Sequence, residues 1–399
     1  MITPAYSPTA TERVLPRMAL DFTTGVLDSR VTITRALNTA TRVNSSGFVE
    51  IVNANLPRFD YDPATLAPKG LLIEEQRTNL VTYSQQFDDA SWNKGVSGSI
   101  SANTVVSPDG TTNADAYTWA TSTTDFAFLS QTATATSNIA NTFSVWLKRP
   151  SGSGNRTVRL TVSDVTTSTG VSATFTVTEN WQRFEFTRTS ATSTGSVGVG
   201  LNTGLSGTSI AAGDILHVWG AQLEAGAFAT SYIPTTTTSV TRNADVVSMT
   251  GTNFSDWYTP NSALFFTASM RGLNTSNHNC VGSISNTANT QYLDYRLYDR
   301  FTGGCRIAGN ATQLIALQST VVNNQYKVGT SNNDTVRLAG AMSGNAVVAS
   351  AVAGTFANAE KLNIGSRFSG SQDYLNGWAI NVYSYPLTIT DAELRAFSK

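Results

Sequence analysis

Short runs in which every second residue is apolar dominate this chain. Phe143, Val145 and Leu147 alternate with Ser144, Trp146 and Lys148, and Val158, Leu160 and Val162 repeat the pattern, as do Ala173, Phe175 and Val177. In Trp181-Gln-Arg-Phe-Glu-Phe186, Trp181 and Arg183 share one face and Phe184 and Phe186 the other. A period of two is that of a strand with one buried face. Turn residues such as Pro150-Ser-Gly-Ser-Gly154 separate the runs at the spacing of β-sandwiches. Helical periodicity is nearly absent. One short helix is predicted near the C-terminus, where Thr390-Asp-Ala-Glu393 forms a capping box and Leu394 and Phe397 are placed to pack on a sheet.

At 399 residues the chain exceeds one ordinary core, so two or three domains are expected. Residues 1–79 read as an arm with its own short strands, irregular at first because of Pro4, Pro8 and Pro16. Val31 and Ile33 alternate with Thr32 and Thr34, Asn44-Ser-Ser-Gly47 is a turn, and Phe48 to Val52 is the next strand. Asp60-Tyr-Asp-Pro63 is a further turn and Gly70 to Gln76 a strand of mixed burial. A β-sandwich is expected over 80–245 and a second over 246–399, giving an all-β chain of two tandem antiparallel sandwiches.

Composition narrows the function classes. Charged residues are only 13%, with net charge −1, which leaves no electrostatic footprint for nucleic acid or anionic lipid. Ser and Thr make up roughly a quarter of the residues, which suits hydroxyl-bearing outer faces of strands. Met1 to Leu20 contains no continuous apolar segment and no stretch approaches a membrane span, so neither an export signal nor membrane insertion is expected. No G-x-S-x-G, phosphate-binding loop, dinucleotide fingerprint or C-x-x-C is present. No alternating acidic loop is present to hold calcium. The expectation is therefore no catalytic residue, no cofactor and no metal.

Two segments are more specific. Pro57-Arg-Phe-Asp-Tyr-Asp-Pro63 runs on into Gly70-Leu-Leu-Ile-Glu-Glu-Gln-Arg-Thr-Asn-Leu80. Far downstream come Trp219-Gly-Ala-Gln-Leu-Glu224, Ser231-Tyr-Ile-Pro234 and Val240-Thr-Arg242. Together they resemble a family of bacteriophage virion structural proteins of the tail-fibre, head-fibre or decoration type. That resemblance implies an attachment role for 1–79 and a jelly roll like a carbohydrate-binding module over 80–245. Leu362-Asn-Ile-Gly365 and Leu375-Asn-Gly-Trp-Ala-Ile-Asn-Val-Tyr383 resemble the closing strands of a laminin-G or concanavalin-like domain. The resemblance further implies a homotrimer on the virion surface, made in the host cytoplasm, docked on other virion proteins and touching host polysaccharide. A head decoration protein without glycan binding is the alternative, and a polysaccharide depolymerase a further one. Cys280 and Cys305 are either bridged or, as reducing synthesis favours, packed as thiols.

Candidate site residues follow from the alternation. Gln291 to Arg300 reads as one strand, with Tyr292, Asp294, Arg296, Tyr298 and Arg300 on an exposed face and Leu293, Tyr295 and Leu297 in the core. A row of Tyr, Arg and Asp fits a glycan site, a subunit interface or a solvated face. Trp146 is the candidate exposed tryptophan of the first sandwich, to be weighed against a Trp covering a sheet edge. Asp256-Trp-Tyr258 is expected to plug the join between domains. Glu74 and Glu75 are adjacent, hence on opposite faces, one exposed and one ion-paired with a neighbour such as Arg77. Asp60 and Asp62 read as turn-capping side chains. His217 reads as a satisfied or solvent-facing strand histidine, and His278, near Cys280, as part of a polar loop.

Overall fold

The computed structural model describes residues 15–95, 98–119, 128–134, 138–164, 170–189, 196–202, 208–272, 279–289, 292–297, 300–306, 313–319, 325–333, 337–342, 348–351, 358–367 and 373–399. The architecture is antiparallel β throughout, with a short C-terminal helix. In the first sandwich a five-stranded sheet runs in the order Gln182–Thr189, Ala140–Lys148, Ile215–Ala225, Thr112–Trp119, Gly98–Val106. A four-stranded sheet, Phe128–Thr134, Ser196–Asn202, Arg156–Asp164, Gly170–Val177, faces it. The expected alternation holds, since Phe143, Val145, Leu147, Val158, Leu160 and Val162 all enter the shared core. Phe184 and Phe186 pack on that core from one side of their strand, whereas Trp181 packs in a separate cluster with Trp146 and Trp219.

The second sandwich departs from the expected order. Its eight-stranded sheet places Val348–Ala351, Arg337–Met342, Gln325–Asn333, Ser262–Met270, Gly377–Tyr385, Pro68–Ile73 and Phe59–Tyr61 side by side, with Met18–Asp21 also paired to Gly377–Tyr385. The seven-stranded sheet opposite starts with Thr32–Thr34 and continues through Val246–Thr250, Lys361–Ile364, Asn279–Ser285, Tyr292–Leu297, Arg300–Arg306 and Gln313–Ser319. Residues 18–79 therefore do not stand apart as an arm. Their strands complete both sheets of the C-terminal sandwich, and the reason is apolar burial. Met18, Leu20, Ile33, Phe59, Leu71 and Ile73 enter one core with Val247, Phe266, Leu362 and Ile364, at about 1.5–3 kcal/mol for each large side chain hidden.

The first sandwich is thus an insertion between strands of the second. The strand leading into it, Arg77–Asn79, pairs with the strand leading out, Val240–Arg242. Where Pro68–Ile73 lies on Gly377–Tyr385, Gly70 adopts φ 110°, and a Cβ there would stand 2.4 Å from the Ala379 carbonyl oxygen. Only glycine permits that approach.

Several local expectations are met. Thr390 caps the helix Asp391–Phe397, and the Glu393 side chain returns the bond to the Thr390 amide. Leu394 and Phe397 pack on Phe265 and Tyr385. Trp257 and Tyr258 do not bridge the sandwiches as expected. Trp257 is buried inside the second core, with its indole on the Met249 sulfur, and Tyr258 stacks on Phe254. The α-helix Thr252–Ser255 carries Phe254 into that core, which is why the aromatics turn inward. Among the described residues no helix is long and apolar enough to cross a membrane.

Candidate functional site

The two specific sequence segments meet in space, and they meet inside the molecule. Arg58, fully buried, sends Nη1 to Glu74 Oε2 at 2.8 Å, to Ser231 Oγ at 2.8 Å and to the Thr41 carbonyl at 3.0 Å. Its Nε donates to Asp245 Oδ1 at 3.3 Å, and its Nη2 to Asp245 Oδ2. Arg35 reaches Asp245 Oδ1 at 2.8 Å, and Arg242 lies 3.3 Å from Glu74 Oε2. Glu74 accepts the Ser231 amide at 2.8 Å and its hydroxyl at 2.6 Å. Arg271 reaches the same carboxylate from the rim at 3.3 Å. Burial would raise the Glu74 carboxyl's pKa, but Arg242, Arg58, Arg271 and the Ser231 hydroxyl hold it well below the usual carboxylate range.

Around this centre, amide and carboxylate side chains brace the backbone. Asn79 donates to the carbonyls of Ala221 and Ile233 at 3.1 and 2.8 Å and accepts the Leu223 amide. Gln222 accepts the Ile233 amide at 2.7 Å, and Glu224 accepts both the Thr230 amide and hydroxyl. Asp60 accepts the Trp378 indole at 2.8 Å and the Val43 amide at 2.7 Å. Buried backbone groups need such partners wherever the chain leaves regular pairing. The result is a junction in which Pro57–Leu80, Trp219–Glu224 and Ser231–Arg242 fasten the inserted sandwich to its host.

Two readings of the carboxylates are corrected by this geometry. Neither glutamate is exposed. Glu74 is buried among arginines, while Glu75 forms the ion pair with Arg77. Asp60 is not a turn cap, because its strand folds it under Trp378. Asp62 is one, accepting the amides of Ala64 and Thr65 at 3.0 and 2.8 Å. Sequence reasoning missed the joint role of Arg35, Arg58, Arg242 and Asp245. The available signal was charge set directly against apolar runs in a chain with few charges, as in Leu71-Leu-Ile-Glu74.

The expected ligand row is not a single strand. Tyr292–Leu297 and Arg300–Arg306 form a hairpin, so Arg300 belongs to the neighbouring strand and opposes Ser319. Asp294 is buried rather than exposed, with Oδ2 3.0 Å from Arg367 Nε, because the segment at Ser366 and Arg367 covers that face of the sheet. Leu293 and Tyr295 are core, as expected, and the Tyr295 hydroxyl meets Thr330 Oγ1 at 2.6 Å. Tyr292 opposes Arg306 and Arg296 opposes Thr302 across the hairpin, and Tyr298 lies outside the described residues, as does His278. Cys280 is a buried thiol.

Trp146 is half-buried in an aromatic cluster. Its ring lies 5.2 Å from Trp219 and 5.5 Å from Tyr232, with the Arg183 guanidinium 4.4 Å above it. Val49, from the hairpin of Ala40–Val43 and Val49–Val52, closes the same cluster. Gly220 at φ 65° makes room, since a Cβ there would stand 2.8 Å from the Trp146 ring. His217 pairs across from Lys148, and burial with Lys148 and Arg149 lowers its pKa to about 4. Its Nδ1 is buried with no hydrogen-bond partner among the described residues, while the residue as a whole is only partly buried. Among the described residues no group of three or more His, Cys, Asp or Glu could hold a metal ion.

No family model and no curated protein sequence matches the chain. Solved structures do. The CBM40 of a Ruminococcus gnavus IT-sialidase, bound to α2,3-sialyllactose, is 14% identical over 35% of this chain and 82% of its own, with TM-score 0.30. A CBM4 structure is 16% identical over 36% of this chain and 99% of its own, with TM-score 0.26. The type G botulinum neurotoxin receptor-binding domain is 8% identical, covers 39% of each chain and has TM-score 0.30. Each likeness spans little more than a third of this chain.

Replacing Asp245 by Asn is expected to destabilise the protein by about 3–5 kcal/mol in urea unfolding, because Arg35 and Arg58 lose their shared anion. Asp62→Asn, which keeps an acceptor in an exposed turn, should leave the midpoint nearly unchanged. Equal effects would contradict the junction. His217 is held neutral in the fold, so the unfolded chain takes up its proton first as pH falls below the ordinary histidine value of 6.5. Stability should therefore drop between pH 6.5 and about 4. His217→Gln should flatten that part of a melting-temperature profile, and an unaltered profile would refute the assignment.

Proposed function

We propose that this chain is a non-enzymatic surface protein of a bacteriophage particle, a fibre or receptor-binding component whose sandwiches meet host surface glycans. One observation carries the proposal. The segments that resemble virion proteins, more than a hundred residues apart, close a single hydrogen-bonded junction through Asn79, Ser231, Glu74 and Arg242. They therefore act as one structural unit, which supports reading them as one motif. The carboxylates within that motif are held by arginines, amides and an indole, which supports a structural role for them over acid–base chemistry.

Attachment to other virion proteins is assigned in this proposal to the N-terminal part of the second sandwich. Leu37, Phe48, Ile51, Leu56 and Leu66 are all exposed there, and large apolar side chains brought to a surface suit a protein interface. A homotrimer belongs to the same proposal by analogy with fibres. The test is immunogold labelling of intact particles with an antibody to the C-terminal sandwich. Gold on the tail tip or fibres is the expected result. Label over the head would favour the decoration reading, and unlabelled particles whose other proteins stain normally would overturn the virion assignment.

A further inference from the structure

The four-stranded sheet of the first sandwich ends on Phe128–Thr134, and a groove of about 600 Å³ runs along that free edge. Leu80, Thr82 and Ser239 form its far wall. Leu129, Gln131 and Ala133 of the edge strand are buried, so Ser130, Thr132 and Thr134 carry their side chains outward. Among the described residues, no side chain lining the groove is ionisable.

A strand ladder begins on this edge and stops. The Ser130 amide donates to the Asn93 carbonyl at 2.9 Å, and the Asn93 amide to the Ser130 carbonyl at 2.8 Å, in one isolated bridge. One residue on, the Gln131 side chain stands in for a strand. Its Oε1 accepts the Thr82 amide at 2.7 Å and its Nε2 donates to the Thr82 carbonyl at 3.0 Å. Backbone groups alternate sides along a strand, so the amides and carbonyls of Thr132 and Thr134 point the same way as those of Ser130, into the groove. Neither residue has a hydrogen bond on that side among the described residues.

Open backbone groups at an edge are a template for a further strand. Two other edges of this sandwich are blunted against such pairing. Gly98–Val106 shifts register twice, and Gln182–Thr189 carries Arg183, Glu185 and Arg188. Phe128–Thr134 has no charge, no proline and an unbroken register from Phe128↔Asn202 to Thr134↔Ser196. Its open groups recur at every second residue, about 6.6 Å apart, each residue offering a donor and an acceptor together. That is the repeat of an extended peptide. A charged side chain entering the groove would find no counter-charge there. We infer that the groove takes an extended, uncharged segment of a partner protein as an added strand, bonded to Thr132 and Thr134.

The probe is the blocked heptapeptide Ser-Val-Gly-Val-Gly-Leu-Asn, the uncharged sequence of Ser196–Asn202, which pairs with the other edge of the same strand. Hydrogen exchange of the full chain, read by mass spectrometry over 130–134, should be fast at Thr132 and Thr134 without peptide. Saturating peptide should slow it by about tenfold or more. Methylating the two valine amides of the peptide and, separately, its two glycine amides should abolish the slowing in one case only, because one edge of the added strand is bonded. Thr132→Pro should abolish the slowing at Thr134 with the melting temperature unchanged, since that N–H points away from the existing ladder. Slow exchange at both threonines in the free chain, no response to peptide, equal effects of the two methylations, or an undiminished response in Thr132→Pro would overturn the inference. Protection by a neutral oligosaccharide such as maltoheptaose, but not by the peptide, would overturn it too and would give the groove to a glycan.

Discussion

The structure depends on a buried group of charges, Arg35, Arg58, Glu74, Arg242 and Asp245, to which the loop after the inserted sandwich adds the Ser231 amide and hydroxyl. Glu74 and Asp245 are carboxylates almost without exposure, and Arg35, Arg58 and Arg242 are buried with them. Such ions are tolerable only when each finds its partners, because desolvation costs several kcal/mol per ion. The partners come from three stretches of chain: the strands before the insertion, the loop at Ser231 and the strand that returns at Arg242. Mispacking of the returning strand takes Arg242 from Glu74, and mispacking of the loop takes away the Ser231 hydrogen bonds. The junction therefore works less as a source of net stability than as a constraint on how the pieces may be joined.

That constraint explains why the first sandwich can be inserted without loosening the second. The strands leading in and out pair with each other over Arg77–Asn79 and Val240–Arg242, so the inserted unit is held at its base. Asn79 and Gln222 then hold the loop at Ile233 against the sheet above. On the second sandwich, Asp60 fixes Trp378, and Lys69 lies 3.5 Å over the same indole.

Much of the fold was legible because its signals are local. Alternation at Phe143–Leu147 and Val158–Val162 gave strands with the correct inward face, and the capping box at Thr390 gave the helix. What was hidden depends on partners far away in sequence. Nothing near Met18 announces that it will pair with Ser384, so a run of short strands behind prolines reads as an arm. Adjacency placed Glu74 and Glu75 on opposite faces correctly, but which face would be buried was decided by Arg58 and Arg242. The Asp294 row failed similarly, since alternation assigns faces without saying that Arg367 will cover one of them. Trp146 was placed on the right face, and its neighbours Tyr232 and Val49 come from segments that periodicity cannot bring together.

The most direct test is differential scanning calorimetry of the intact chain. Two sandwiches locked by one ionic junction should unfold in a single transition, with the calorimetric and van't Hoff enthalpies equal within error. Two resolved transitions, or a calorimetric enthalpy close to twice the van't Hoff value, would show that the sandwiches melt independently and that the junction does not couple them.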